Sequence, residues 1–410
     1  MYATSLAQFT KDTRHMLPMY VPLLATLLLA VAGYYFAAKR AAASAGGDIR
    51  KLAALPSQYG LFTALSVIVP TLAALIVGLG FGGLSGALPL VLLSVAGLGF
   101  LVSLYKVSPA FRARTHAETW IKIILIAASV IAILTTVGIV FSMLFETRNF
   151  FSQYDWRAFF FSTEWSPNFR GNSALGIIPL LWGTLYISLI ALTFAVPVGL
   201  FAAIYLSEYA SRRTRSFAKP AIEILAGIPT IVYGLFALIT VGPFLRDYFA
   251  QPMGFGDSAS SVMTAGLVMG IMLIPFVSSL SDDIINAVPQ AMRDGSLGLG
   301  ATKSETIRQV VIPAALPGIV GAILLAASRA IGETMIVVLG AGAAARMSLN
   351  PFEAMTTVTV KIVSQLTGDT DFASPETLVA FALGLTLFVI TLGLNVFALY
   401  IVRKYREQYE

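Results

Sequence analysis

The sequence has no cysteine and few charged residues. Only 12% of its 410 residues are Asp, Glu, Lys or Arg, against about 25% in a typical soluble domain. The lack of cysteine excludes disulfides, thiolate metal sites and cysteine nucleophiles. The two histidines, His15 and His116, stand without acidic residues or each other at metal-ligand spacing. With 57% hydrophobic residues and a mean hydropathy of +0.82, the chain is predicted to be an integral membrane protein.

Nine apolar runs are long enough to cross a bilayer, for which about 20 residues are needed. They predict an all-α, polytopic transmembrane helical bundle, with spans near residues 19–37, 61–80, 86–105, 121–145, 179–206, 221–243, 262–281, 315–340 and 378–402. Alternate loops differ in basic content, with 18 Lys and Arg in one set and 8 in the other. The bias predicts a cytoplasmic C-terminus and an N-terminus on the outer, periplasmic side. Topology rather than nucleic-acid binding therefore accounts for the net charge of +6.

Composition divides the chain near residue 120. Residues 1–120 contain about three spans without intramembrane charge and are predicted to form an accessory membrane region. Residues 121–410 contain about six spans in which Pro and Gly recur, as is tolerated where helices kink or pack around a pathway. Within the second region, the external segment 146–177 is dense in Phe and Trp. It is interpreted as an interfacial aromatic belt or as a docking surface for an external partner.

Arg329 and Glu333 lie inside the predicted span 315–340. A charge near the bilayer centre costs roughly 2.5–3.5 kcal/mol on insertion scales, so the face that carries them is expected to point away from lipid. Their spacing of four places them on one helix face, where they can pair with each other or with neighbouring spans. A neutralised structural pair and a substrate pathway both remain open. Glu223 is a third candidate, as a pathway residue or as a first-turn helix cap after Pro220.

The predicted cytoplasmic loop after the seventh span contains its own helix signals. Thr302 and Glu305 have capping-box spacing, and an apolar helical period follows until Pro313. Gly295, Gly298 and Gly300 precede the cap and predict a turn. A helix, a glycine turn and a second helix at the membrane face can fit a groove in another protein.

This loop resembles the cytoplasmic EAA loop of ABC-importer permeases. The pattern E-A-A, three residues, G, nine residues and I-x-L-P is matched in spacing by Asp294, Gly295, Ser296, Gly300, Val310, Ile312 and Pro313. Further stretches, including "EILAGIPTIVYGLFAL" and "SRAIGETMIVVLGAG", are similar to the PstC-type permease subunit of the high-affinity phosphate importer. The resemblance runs from about residue 121 to the end and implies a type I ABC-importer permease core with three extra N-terminal helices.

The resemblance implies a transport subunit in a bacterial inner membrane that performs no bond chemistry itself. Residues 288–313 are expected to couple it to a separate cytoplasmic ATPase dimer, which holds ATP and Mg. A PstA-type second permease and a periplasmic phosphate-binding protein are the other expected partners, with inorganic phosphate as substrate. No cofactor, metal or nucleic acid is expected on this chain, which also lacks the G-x-x-x-x-G-K-[ST] nucleotide loop. The resemblance favours Arg329 as an oxyanion contact that Glu333 holds in place.

Two other classes of transporter remain as alternatives. An ABC permease for sulfate, molybdate or phosphonate has the same coupling loop and differs only in the phosphate-like stretches. An ion-coupled secondary transporter predicts inverted repeats with interrupted helices in both halves. No second copy of the Arg329 segment is evident in the sequence.

Overall fold

The computed structural model describes residues 19–80, 87–168, 173–368 and 373–406. Within these ranges nine helices are long and apolar enough to cross a membrane, which confirms the predicted all-α, polytopic class. They are α1 (Tyr20–Ser44), α2 (Pro56–Gly80), α3 (Leu88–Lys106), α4 (Ala113–Gln153), α6 (Ile178–Tyr209), α8 (Thr230–Ala250), α9 (Val262–Ala287), α11 (Lys303–Ile331) and α14 (Pro375–Arg406). Shorter helices lie between them: α5 (Trp156–Phe161), α7 (Arg212–Ala226), α10 (Gln290–Gly298), α12 (Met335–Gly340) and α13 (Val358–Gly368).

The chain divides into two compact units, Met1–Val137 and Gly138–Glu410, with the boundary inside α4. The first unit contains the three leading spans. Alanines four residues apart, Ala37 and Ala41 on α1 and Ala113 and Ala117 on α4, are almost completely buried in its core. Small side chains at this spacing let membrane helices approach closely. The accessory role assigned to these leading spans stays a prediction.

In the second unit, the central pair of helices is α6 and α9. Their contact is also built from small residues, including Ala191, Ala195 and Gly270. A Cβ atom at Gly270 would lie 3.0 Å from the carbonyl oxygen of Ala191, so a larger residue would push the helices apart. α8, α11 and α12 complete this core. The close backbone approach explains why glycine recurs in spans of this half of the chain.

The aromatic segment, which begins in the last turns of α4, folds into a core of its own. Phe150, Phe159 and Trp165 are buried against Leu175 and residues of α14. A two-stranded antiparallel sheet, β1 (Trp165–Ser166) with β2 (Ala174–Leu175), closes this aromatic core. The interpretation of the whole segment as an aromatic belt is therefore wrong for these inward-facing rings. Trp156 and Phe161 remain exposed.

Two predicted spans are interrupted by short breaks in the observed structure. The predicted span 221–243 is interrupted at Gly227–Pro229, so α7 ends at Ala226 and the membrane helix α8 begins at Thr230. Proline lacks an amide hydrogen and disfavours helical geometry at the preceding residue. The predicted span 315–340 likewise ends at Ile331, and α12 begins at Met335.

Candidate functional site

Arg329 and Glu333 lie on opposite sides of a break between α11 and α12. Gly332 caps the C-terminal end of α11, its amide donating to the carbonyl of Ser328 at 3.3 Å. Glu333 therefore lies outside the helix that carries Arg329. The prediction that both residues share one face of a single helix is wrong. No salt bridge joins them within 4.0 Å, although both lie in the described part of the chain.

Glu333 has a local structural role. Its Oε1 accepts the backbone amide of Met335 at 3.1 Å, at the start of α12. Its own carbonyl accepts the hydroxyl of Thr359 at 2.8 Å, which ties the break to α13. A carboxylate at a helix N-terminus satisfies an unpaired amide and is favoured by the helix dipole. This geometry supports the structural interpretation of Glu333.

The surroundings of Arg329 differ from those of Glu333. Arg329 lies in the last turn of α11, where a cation is favoured by the helix dipole, and it is exposed. Its guanidinium carbon lies 5.8 Å from the centre of the Phe276 ring on α9. Among residues 19–80, 87–168, 173–368 and 373–406, no carboxylate lies within salt-bridge distance of it. Within the described residues, this guanidinium on a membrane-spanning helix therefore has no ion-pair partner.

A second cation, not identified from the sequence, lies on α13. The amino group of Lys361 donates to the carbonyl of Ala343 at 3.1 Å. No carboxylate of the described residues lies within 4.0 Å of this amino group. Burial lowers the pKa of this amino group. Lys361 is two residues from Thr359, the residue bonded to the carbonyl of Glu333. The break between α11 and α12 is therefore connected to Lys361 through α13.

Glu223 does not occupy the first turn predicted for it. It lies in the last turn of α7, with Pro220 inside that helix, so the helix-cap interpretation is wrong. It borders a small cavity together with Lys219 and Asp282. The side chain is exposed, and its role in a pathway stays a prediction.

The predicted coupling loop has a defined fold. α10 is followed by a turn at Gly300, whose φ is +88°, and then by the capping box of Thr302 and Glu305. Only glycine adopts this φ without strain, so Gly300 is the turn residue. Gly295 and Gly298 lie inside α10 instead, which corrects the prediction that all three glycines supply the turn.

The remaining motif residues follow the same helix–turn–helix. Asp294 accepts a hydrogen bond from Gln290 at 3.0 Å, and the hydroxyls of Ser296 and Thr306 lie 2.9 Å apart. Pro313 does not end the helix as predicted. A wider π turn at Ile307–Val311 precedes it, and α11 continues through Ile312 and Pro313. Val310 and Ile312 are half-buried, whereas Leu299 at the turn is 91% exposed.

Arg293 anchors this loop to the membrane helices. Its Nη2 donates to Glu208 Oε1 at 3.1 Å and to the carbonyl of Ile285 at 2.7 Å, and its Nη1 donates to the carbonyl of Val288. Both charged side chains are about nine-tenths buried. The basic residues nearest to Glu208 in the sequence are Arg212, Arg213 and Arg215. Glu208 pairs with the loop instead, and joins the end of α6 to α10.

A second buried charge cluster lies next to this anchor. Asp282, on the last turns of α9, is 1% exposed. It accepts hydrogen bonds from Arg215 at 2.9 and 3.0 Å, from Lys219 at 2.8 Å and from Asn286 at 3.0 Å. These bonds hold α7 against α9, and the bond to Asp282 raises the pKa of Lys219. The sequence signal was a carboxylate near the end of an apolar span, but its cationic partners Arg215 and Lys219 are 67 and 63 residues away.

The family model described as "Binding-protein-dependent transport system inner membrane component" matches residues 195–407, more than half of the chain. The "Phosphate transport system permease protein PstC" of Mesorhizobium japonicum is 32% identical over 297 residues, 68% of this chain and 88% of the relative. The chain belongs to this permease family, in its PstC-type branch. The Xylella fastidiosa PstC permease (strain Temecula1) is 32% identical over 72% of this PstC-type chain and 93% of the relative.

Part of the leading region matches a different family model. A second family model, described as "Phosphate ATP-binding cassette transporter", matches residues 23–85 of this PstC-type chain. The Mycobacterium tuberculosis PstC 1 permease is 36% identical over 278 residues, 60% of this chain and 81% of the relative. The chain is therefore a multi-pass inner-membrane transport subunit.

Proposed function

We propose that this PstC-type chain is a permease subunit of an ATP-driven importer of inorganic phosphate. The observation that carries the proposal is the exposed, unpaired guanidinium of Arg329 on a membrane-spanning helix. The three relatives described above are named as phosphate transport permeases, which supports the choice of substrate.

The chemistry of Arg329 fits an anion in transit. A permanently charged, planar guanidinium donates paired hydrogen bonds to oxyanions. Facing lipid, it would cost a few kcal/mol, so this face of α11 is expected to meet a water-filled route or a second permease of the PstA type. Because Glu333 caps α12 instead of neutralising Arg329, the guanidinium stays available. Binding by one such group is weak enough to be released.

The loop 288–313 supplies the proposed connection to an ATPase. Its turn exposes Leu299 and Gly300, and Asp294 lies on the exposed surface of α10. Arg293 bonds the same loop to α6 and to the end of α9. A push on α10 would therefore reach two membrane helices through one buried side chain. ATP and Mg are assigned to the ATPase dimer, and Glu223 is retained as a candidate pathway residue.

A periplasmic phosphate-binding protein is the proposed donor of substrate. It is expected to contact the external loops 146–177, 244–261 and 341–377, which the Lys and Arg bias places outside. The same bias puts the coupling loop and the C-terminus in the cytoplasm. This arrangement allows capture on one side and nucleotide-driven motion on the other.

The test is transport by the reconstituted assembly. Proteoliposomes containing this chain, its second permease and the ATPase, with the binding protein added outside, are given radiolabelled phosphate. The proposal predicts ATP-dependent phosphate accumulation that excess sulfate, molybdate or phosphonate does not reduce. Accumulation of one of those oxyanions instead, or phosphate uptake driven by an ion gradient without ATP, would contradict it.

A further inference from the structure

The first unit contains a groove that the transport proposal does not use. It has a volume of about 470 Å³ and is lined by α2, α3 and α4. Its lining residues all belong to the unit Met1–Val137. The volume is within the range of about 300–1,000 Å³ that is typical of ligand sites. The walls are mainly apolar, with Pro70, Leu98 and Ile123 among them.

The groove has one basic end. Lys106, the last residue of α3, and His116, in the second turn of α4, both line it. Lys106 is exposed and has no carboxylate within 4.0 Å in the described part of the chain. The neighbouring Glu118 pairs with Arg114 at 2.8 Å. The positive charge of Lys106 is therefore free for a ligand.

The length of the groove matches one leaflet. Its lining on α3 runs from Val95 to Lys106, and eleven helical steps of 1.5 Å span about 16 Å. Half of a hydrocarbon core about 30 Å thick is about 15 Å. Lys106 lies in the loop set that the Lys and Arg bias places in the cytoplasm. An acyl chain seated in the groove would therefore place its headgroup at Lys106.

The inner wall is held in place by a specific bond. The indole Nε1 of Trp120 on α4 donates to the hydroxyl of Ser66 on α2 at 3.1 Å. Both residues line the groove, and Ser66 is only 8% exposed. The bond gives the indole N–H of Trp120 and the hydroxyl of Ser66 a partner inside the apolar wall. An acyl chain can therefore contact this wall without burying an unpaired indole N–H.

We propose that this groove binds an anionic phospholipid, with one acyl chain between α2, α3 and α4 and the phosphate against Lys106. Basic pockets between membrane helices on the cytoplasmic side favour anionic headgroups. A neutral or zwitterionic lipid can fill the apolar part but gains less from the lysine. The proposal concerns the first unit alone and does not depend on the transported substrate.

Lipid titration of the full-length chain tests the proposal. The purified protein in neutral detergent is titrated with phosphatidylglycerol or phosphatidylethanolamine, and bound lipid is counted by native mass spectrometry. Wild-type protein is expected to prefer phosphatidylglycerol. Lys106→Gln should lower that preference about fivefold, since one basic side chain near an anionic headgroup contributes about that factor. The control Lys51→Gln removes a charge from the same loop set, outside the groove, and should leave it unchanged.

A second pair of variants tests the acyl site. Val95→Trp fills the groove and should reduce binding of both lipids, whereas Leu101→Trp, at an exposed position of α3 outside the lining, should not. Equal effects of Lys106→Gln and Lys51→Gln, or unaltered binding by Val95→Trp, would overturn the proposal. Inorganic phosphate should neither bind at Lys106 nor displace the lipid. If it does either, the site recognises free phosphate and the lipid assignment is wrong.

Crosslinking of the wild-type chain tests the same proposal without depending on the folding of any variant. Phosphatidylglycerol carrying a photoreactive group in its acyl chain is incorporated with the wild-type protein into vesicles and irradiated. Peptide mapping is expected to find adducts on the lining segments of α2, α3 and α4. Adducts confined to other helices would overturn the proposal.

Discussion

Two arginines of the second unit show what a charge can do in a membrane protein. Arg293 is about nine-tenths buried and bonds to Glu208 and to two carbonyls at the end of α9. Arg329 is exposed, touches the Phe276 ring and has no carboxylate partner in the described part of the chain. The guanidinium of Arg293 donates its hydrogen bonds to groups within the fold. Arg329 leaves its donors available to another molecule.

The largest expected effect is a loss of stability when Arg293 is replaced. Arg293→Ala leaves the nearly buried Glu208 without its cation, and breaking a buried pair in this way costs about 3 kcal/mol. Thermal unfolding of the purified chain measures the loss. Arg346→Ala is the control, because the Arg346–Glu353 pair is largely exposed and should contribute less than about 1 kcal/mol. Equal losses of stability in the two variants would show that the buried bonds of Arg293 stabilise the fold no more than an exposed ion pair does.

Arg329 should show the reverse pattern. Arg329→Gln is expected to lower ATP-dependent phosphate uptake by about 100-fold, since a charge-assisted contact to an anion contributes a few kcal/mol. Stability and assembly with the ATPase should remain near wild type, because the fold uses no ion pair of this residue. Arg329→Lys keeps the charge and should recover part of the uptake. Unchanged uptake in Arg329→Gln would make the residue structural.

Glu333 provides a sharper test within the same helix break. Glu333→Ala removes the cap of α12 and should cost about 1 kcal/mol in unfolding free energy. Glu333→Gln keeps an oxygen that accepts the Met335 amide and should retain most of the stability and the uptake. A severe transport defect in a stable Glu333→Gln protein would show that the carboxylate charge itself acts on substrate or on Arg329.

The smallest expected effect is a pH dependence at Lys219. Its folded-state pKa is raised above the unfolded value by the bond to Asp282. The contribution to stability is therefore complete below the unfolded pKa of about 10.4 and is lost as pH rises through the folded value. The difference in unfolding free energy between wild type and Lys219→Arg should be constant from neutral pH to about pH 10 and change above it. A change near neutral pH would point to another group.

Local sequence signals predicted much of this fold. The nine spans follow from hydropathy, and the capping box at Thr302 and Glu305 forms as its spacing predicts. Two boundaries were wrong because short helix breaks at 227–229 and 332–334 lie inside apolar stretches. Hydropathy averages over such breaks and does not detect them.

The charge partners could not be predicted in the same way. Asp282 meets Arg215 across 67 residues, and Arg293 meets Glu208 across 85. Nothing in local periodicity specifies which distant helix comes alongside. Arg329 and Glu333 were singled out as charges inside an apolar run, but the assumption of one continuous helix led to the wrong geometry. Gly332 followed by a polar pair was the signal for the break.

The most direct test of the account is the water accessibility of position 329. Because the chain has no cysteine, Arg329→Cys carries a single thiol. The assembled importer with cysteine-free partners is treated with a charged, water-soluble methanethiosulfonate or with a lipid-soluble maleimide. The account predicts labelling by the water-soluble reagent. Labelling only by the lipid-soluble reagent, as expected at the apolar control Ile133→Cys, would contradict it.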